Sequence, residues 1–359
     1  MNTQSLADKI RSRGGLIIEA VDLHCAGEPG RVVIVPTLDA GGSAAIRAFL
    51  AKAPMLRGAM LKEPRGYPAA NCNLVAVDRP NAASIAILEQ HEDAPMSGSN
   101  VICVATALVE LGAVEVCPPW TVVHLDTAAG PVEAHVLVEN GRATEVRFRN
   151  VPSFMHTERI EIDVPHIGRV PISVAFGGEF YAIVPAEEIG FALTPEQARE
   201  LARAGALIRA AAREQIAVSH PTLDSINEIK MVQFAGSLSG LRSKNVVVIC
   251  TGEFSWDDEA SWIATLDRSP CGTGTSARLA LLHHLGQMRV GECLAHESIT
   301  GCVFHGTILS ECSIGDRRAI VPEIAGRAWI TGMAQYVIEA DDPFPNGFTV
   351  GDIWPIRGN

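Results

Sequence analysis

The apolar positions of the chain form two helical runs set among many short extended ones. Gly98–Leu111 and Thr273–Leu285 carry apolar side chains at helical spacing, and each run stops at a glycine, Gly112 and Gly286. Around them lie short apolar runs of strand length. They are Ile17–Val21, Arg31–Pro36, Leu74–Val77, Ser84–Leu88, Thr121–Leu125, Val132–Val138, Thr144–Asn150, Gly177–Val184, Asn245–Cys250, Ala319–Ile324 and Arg327–Gly332. Cys25–Gly30 reads as a turn and Ala44–Ala53 as a short helix. Thr194–Gln215 reads as an amphipathic helix, with Thr194 as N-cap and Pro195 at its first position. The Pro- and Gly-rich tail Asp341–Asn359 reads as an irregular strand.

The two central helical runs are related. One constant offset aligns Ser97 with Cys271, Gly98 with Gly272, Leu108 with Leu282, Leu111 with Leu285 and Gly112 with Gly286. The offset is close to half the chain, as expected of a duplicated unit with one reactive position per half facing a shared cleft. The expected fold is α/β (α+β). Two pseudo-symmetric halves each wrap a curved, mostly antiparallel sheet around a central helix. The expected division is residues 1–188, carrying Ser97 and joined by the tail 340–359, and residues 189–339, carrying Cys271.

Composition narrows the function. At 359 residues and 47% hydrophobic content the chain can fill two cores. A net charge of −12 without a Lys/Arg cluster excludes nucleic acid and anionic membrane as expected partners. No run approaches the ~20 apolar residues of a spanning helix, and Met1–Gly15 lacks a signal-peptide apolar region. The nine cysteines are scattered without a C-x-x-C pair, which points to a reducing cytoplasm and mostly buried thiols. No H-x-E, H-E-x-x-H or C-x-x-C constellation suggests a metal, and no G-x-G-x-x-G after a strand suggests a dinucleotide. The expected partner is a small-molecule substrate, and the expected assembly a homodimer.

The most chemical string is D-R-S-P-C-G-T-G-T-S, residues 267–276. It puts Cys271 where a loop becomes a helix. A helix N-terminus carries partial positive charge and unpaired amides, so it holds carboxylates and favours a thiolate. Cys271 is therefore the candidate base or nucleophile, the Gly272 and Thr273 amides a carboxylate cradle, and Asp267 an anchor for a substrate ammonium. His220 lies in a loop as a candidate pocket residue. His24 and His91 carry no assignment, His283 and His284 on the second central helix read as packed or surface histidines, and Glu28 with Arg31 as a structural ion pair.

This string and several others resemble the proline racemase and hydroxyproline epimerase family, whose fold is that of diaminopimelate epimerase. The others are H-C-A-G-E-P-G-R-V-V (His24–Val33), E-P-R-G (Glu63–Gly66), T-A-L-V-E-L-G (Thr106–Gly112), R-N-V-P-S-F (Arg149–Phe154) and A-F-G-G-E-F-Y-A-I-V (Ala175–Val184). The resemblance implies two acid/base groups on opposite faces of a prolyl α-carbon, with no cofactor or metal. It implies catalytic positions at Ser97 and Cys271, and substrate contacts at Gly98, Ser99, Asp267, Gly272 and Thr273.

The chain departs from that family pattern twice. Ser97 stands where the first cysteine is usual, and Ser99 where histidine is usual. A thiol has a pKa near ~8.5, whereas an aliphatic hydroxyl is a far weaker acid and needs a neighbouring base to act as one. The sequence shows no such activator beside Ser97. A reaction with one strong base and a leaving group is therefore the first expectation: dehydration of trans-3-hydroxy-L-proline to Δ1-pyrroline-2-carboxylate. The alternative is 4-hydroxyproline 2-epimerisation or proline racemisation. Further behind stand a non-catalytic binder of proline-like ligands and a cysteine hydrolase.

Overall fold

The protein is described from a computed structural model that covers residues 3–35, 54–89, 93–250, 253–351 and 353–354. The expected helix Ala44–Ala53 and His91 lie outside the described residues. After a short helix α1 (Thr3–Ser12) come β1 (Leu16–Cys25), β2 (Glu28–Ile34), α2 (Pro54–Leu61), β3 (Cys72–Arg79), β4 (Ala82–Leu88) and β5 (Asp93–Ala94). Then follow α3 (Gly98–Glu110), β6 (Trp120–Thr127), β7 (Gly130–Glu139) and β8 (Arg142–Arg149). The same order then recurs. It runs β9 (Phe154–Val164), β10 (Gly168–Phe176), β11 (Phe180–Pro185), α4 (Ala198–Gln215), β12 (Ile229–Ala235), β13 (Arg242–Cys250) and β14 (Ala264–Leu266). It ends with α5 (Gly272–His284), β15 (Cys293–Glu297), β16 (Val303–Ile314) and β17 (Arg317–Gly326), and a last strand β18 (Ala328–Ile338) follows.

Strand pairing makes the repeat explicit. In the first copy β18, β1 and β2 are antiparallel, β2 runs parallel to β3, β3 and β4 are antiparallel, and β4 runs parallel to β6. In the second copy β9, β10 and β11 are antiparallel, β11 runs parallel to β12, β12 and β13 are antiparallel, and β13 runs parallel to β15. Each copy finishes in a three-strand meander, β6–β8 or β15–β17, and β8 pairs with β17 to join the copies.

The strand β18 therefore occupies in the first copy the place of β9 in the second. The copies meet at residues 150–153, and not at the expected 188/189. That position falls inside the second copy because β11 and β12 are hydrogen-bonded neighbours. The described part of the tail packs on the first copy. Arg65 reaches Asp342 at 3.0 Å, and Trp354 Nε1 donates to Glu63 Oε2 at 2.8 Å.

Each copy curls its sheet around one enclosed helix. Every residue of α3 from Gly98 to Val109 is buried, which fits a helix apolar on all sides. It packs on Val32, Val123, Val136 and Phe148 from the surrounding strands. Helix α5 is buried likewise over Gly272–Ala277 and Leu279–Leu282. The helices α2 and α4 cover the outer faces, α4 through Leu201, Leu207 and Ile208. The expected helix from Thr194 begins at Ala198 instead, because Pro195–Gln197 forms a 3₁₀ turn and Thr194 makes no side-chain cap bond. The expected strand from Gly177 begins at Phe180, since Gly177–Glu179 make the β10–β11 turn.

The two enclosed helices meet end to end. A Cβ added at Gly98 would lie 2.7 Å from Gly272 Cα, and one added at Gly272 would lie 2.8 Å from Gly98 Cα. Only glycine allows this approach, since the obstructing atoms are backbone. Gly98→Ala should therefore lower the urea midpoint, by about 1–3 kcal/mol of overpacking strain. An unchanged midpoint would mean that the helix ends are not in contact.

Candidate active site

Both reactive positions are N-caps. Ser97 caps α3 in an extended conformation (φ −143°, ψ 120°), and its hydroxyl makes no cap bond to the helix backbone. Cys271 caps α5 with φ 61° and ψ 114°, and its Sγ accepts the Gly274 N–H at 3.4 Å. A positive φ is uncommon for a side-chain-bearing residue. The first intrahelical bonds run from Val101 N to Ser97 O at 3.0 Å and from Thr275 N to Cys271 O at 2.8 Å. The amides of Gly98, Ser99, Gly272 and Thr273 precede those bonds and are among the groups a helix leaves open at its start. Contact between Gly98 and Gly272 brings these four amides, Ser97 and Cys271 to one place.

The surroundings of the two positions differ. The Cys271 side is buried, with the residue only 8% exposed. Tyr181 Oη lies 3.4 Å from Sγ and 2.6 Å from Thr273 Oγ1, which is itself 3.6 Å from Sγ. Burial pushes the thiol well up and the charge of Asp267 adds to this, while the Tyr181 hydroxyl, the Gly274 amide and the Thr273 hydroxyl pull it down. Burial is the largest of these influences, so the thiol of the unliganded protein is raised.

Below the thiol, Cys271 N donates to Ser269 Oγ at 3.0 Å, and Ser269 N to Asp267 Oδ1 at 2.7 Å. Asp267 is thereby tied to the Cys271 backbone. Pro270 O receives Asn245 Nδ2 at 3.1 Å and Thr275 Oγ1 at 3.2 Å, which fixes the loop from behind.

On the other side Ser97 is half-buried. Its Oγ accepts from Asn100 Nδ2 at 3.0 Å and lies 3.4 Å from Ser99 Oγ. Asn100 is held in turn, its Oδ1 receiving Asn73 Nδ2 from β3 at 2.7 Å. Two amides in series thus point a donor at the Ser97 oxygen, and neither is a base.

Some expected residues fall elsewhere. His220 packs on Phe176 at 4.7 Å and Phe154 at 5.7 Å between ring centroids, and Thr222 N donates to its Nδ1 at 3.3 Å, so its partners are core residues of the second copy. Arg31 pairs with Asp22 at 2.7 Å and not with Glu28. Glu28 instead turns across the seam: its Oε2 accepts Arg268 N at 2.8 Å and its Oε1 accepts Asn71 Nδ2 at 3.0 Å. His24 stacks on Trp329, while His283 and His284 meet Glu311 and Glu158 near the surface.

Tyr181, Asn100, Asn73 and Glu28 were not found from the sequence. Asn100 had a signal: three residues after an N-cap serine, a polar side chain reaches back to the cap. Tyr181 had none, since inside A-F-G-G-E-F-Y-A-I-V it reads as one more strand residue. No cluster of three or more His, Cys, Asp or Glu fit to hold a metal occurs among the described residues. Among them, no helix is long and apolar enough to cross a membrane.

In this duplicated α/β fold Ser97 and Cys271 cap two helices that meet end to end. The proline racemase family model matches residues 20–349. A 4-hydroxyproline 2-epimerase of Rhizobium rhizogenes is 37% identical over 95% of this chain and 98% of the relative. A proline racemase of Acetoanaerobium sticklandii is 36% identical over 93% of this chain and 98% of the relative. The crystal structure of a hydroxyproline epimerase from Agrobacterium vitis with bound trans-4-hydroxy-L-proline superposes with a TM-score of 0.84 at 33% identity, covering 94% of this chain and 97% of that one. A Bacillus anthracis protein of the PhzF family shares the fold alone, at a TM-score of 0.53 and 12% identity. The chain belongs to the proline racemase family, a family of proline racemases and hydroxyproline epimerases.

Tyr181→Phe should leave the fold intact and raise the Cys271 thiol further. Losing one hydrogen bond to the thiolate, about 1.4 kcal/mol, lowers its fraction about tenfold. Alkylation of Cys271, followed by peptide mass mapping across pH, should slow by about that factor. An unchanged rate would remove Tyr181 from the site.

Proposed function

We propose that the protein inverts the α-carbon of 4-hydroxyproline, with Cys271 and Ser97 on opposite faces of the ring. The observation that carries this reading is the Asn100 amide on the Ser97 oxygen. It supplies what the sequence did not disclose: a group that stabilises Ser97 once it has given up its proton. The substrate carboxylate lies on the amides of Gly98, Ser99, Gly272 and Thr273, and Asp267 takes the ring nitrogen. The cationic nitrogen favours the Cys271 thiolate, offsetting part of its burial. Cys271 takes the α-proton, two helix N-termini stabilise the enolate-like charge, and Ser97 delivers a proton to the far face. This order of activities reverses the first expectation from the sequence. The relatives named as 4-hydroxyproline 2-epimerases, similar over nearly the whole chain, support the reversal.

One observation favours a second reading, dehydration of trans-3-hydroxy-L-proline. Among the described residues Ser97 Oγ meets the Asn100 amide, which donates to it, and the Ser99 hydroxyl, and neither is a base. In that substrate the α-hydrogen and the 3-hydroxyl lie on the same face of the ring. One thiolate could take the proton from carbon and hand it to the departing hydroxyl, releasing water without help from the opposite face.

The two readings separate in heavy water. Trans-4-hydroxy-L-proline should give cis-4-hydroxy-D-proline with deuterium at the α-carbon, read by NMR, and Cys271→Ser should abolish the exchange. Ser97→Ala should slow inversion about a hundredfold or more, the usual worth of a general acid. If the wild type instead releases water from trans-3-hydroxy-L-proline faster than it inverts the 4-hydroxy isomer, dehydration is the function. Exchange at full rate in Cys271→Ser would overturn both.

A further inference from the structure

Cys271 stands in a backbone region that side-chain-bearing residues rarely enter, at φ 61° and ψ 114°, whereas Ser97, its counterpart, is extended. Such a conformation persists only where its surroundings enforce it. Both peptide groups that flank Cys271 are held. On one side Pro270 O receives Asn245 Nδ2 and Thr275 Oγ1, and Cys271 N donates to Ser269 Oγ. On the other, Cys271 O receives Thr275 N. Thr275 is held in turn by His296, whose Nδ1 lies 2.9 Å from its hydroxyl. We propose that Asn245, Thr275 and His296 are positioning residues, which clamp the Pro270 carbonyl and so keep Cys271 in the backbone that aims its thiol.

The first copy builds the same places without them. The offset that pairs Cys271 with Ser97 pairs Thr275 with Val101. In the parallel step β13–β15, Arg242–Lys244 pair with Ala295–Glu297, and in β4–β6, Ala82–Ser84 pair with His124–Asp126. Laid over one another, these steps put Asn245 on Ile85 and His296 on Leu125. All six side chains are buried. The copy with the extended Ser97 thus has three aliphatic residues where the copy with the strained Cys271 has three polar ones. Burying polar groups costs free energy unless they are hydrogen-bonded, so packing alone favours the aliphatic set. The polar set has its partners, and they converge on one carbonyl. The direction of donation is fixed as well. The Thr275 hydroxyl has one proton, which goes to Pro270 O. His296 Nδ1 therefore carries the proton that meets Thr275 Oγ1. Burial first, and then the Arg278 charge, push the imidazole down to about 3, so it stays neutral in that tautomer.

The role of Cys271 as base rests on the proposed function, but the clamp does not. Glycine accepts a positive φ and alanine resists it, so Cys271→Gly should melt above Cys271→Ala, against the usual order. Thr275→Val installs the first copy's residue and takes one donor from Pro270 O, and in that background the gap should close. Asn245→Ala removes the other donor and should close it likewise, which keeps the test valid if Thr275→Val is unstable. In turnover of hydroxyproline, Thr275→Val and His296→Leu should each lower kcat about tenfold or more and leave KM within about threefold, since a displaced base slows the step more than it weakens binding. Thr275→Ser keeps the hydroxyl and should restore most of the loss. Cys271→Ala melting at or above Cys271→Gly, or a gap that survives both substitutions, would overturn the clamp. A kcat unchanged in Thr275→Val and His296→Leu, or reduced equally in Thr275→Ser, would overturn the positioning role. If the wild type turns over no hydroxyproline at all, the function reading fails while the melting order still decides the clamp.

Discussion

The structure depends on one contact, the backbone approach of Gly98 to Gly272. Two helices that would otherwise be buried core elements are thereby turned end to end across the seam between two copies of a fold. Their open amides and N-cap side chains then share one small volume. The strand order around this point is repeated in the two copies. The parallel steps β2–β3 and β11–β12, and β4–β6 and β13–β15, place each helix identically in its own sheet. The β8–β17 pairing holds the two copies in register behind the contact. The N-terminal charge of two helices is a static field aimed at one spot, an arrangement suited to holding an anion there.

Within this symmetric frame the chemistry is one-sided. Cys271 is buried, has a left-handed backbone and is touched by Tyr181, Thr273 and Gly274. Ser97 is half-buried, extended, and touched by the Asn100 amide and the Ser99 hydroxyl. A thiol can be base or acid at modest cost. A hydroxyl held by a donor is suited to giving a proton rather than taking one. The residues around the two N-caps make them unequal: Tyr181 touches the sulfur, while Asn100, held by Asn73, donates to the oxygen.

The repeat, and the places of Ser97 and Cys271 at the helix starts, were legible because a constant offset preserves N-cap, glycine and leucine positions along both enclosed helices. The boundary between copies was not legible. The last strand, β18, returns to complete the first copy, and a pairing between the chain's end and its start leaves no trace in local pattern. The strand β9 escaped notice for a related reason: F-M-H-T-E-R-I-E-I-D-V is polar along much of its length, since many of its side chains face solvent. The supporting residues were hidden because each resembles something ordinary. Glu28 beside Arg31 reads as an ion pair until the fold shows Arg31 committed to Asp22. His220 read as a pocket residue for want of any sign that Phe154 and Phe176 would enclose it.

The central claim is that a planar, carboxylate-bearing ring sits between Cys271 and Ser97 at the junction of the helix ends. Pyrrole-2-carboxylate is flat at the carbon that corresponds to the reacting one, and a crystal structure of its complex tests the claim most directly. The account predicts its carboxylate on the amides of Gly98, Ser99, Gly272 and Thr273, with the ring between Sγ of Cys271 and Oγ of Ser97. A ligand bound elsewhere, or one with both side chains on the same face of the ring, would contradict it.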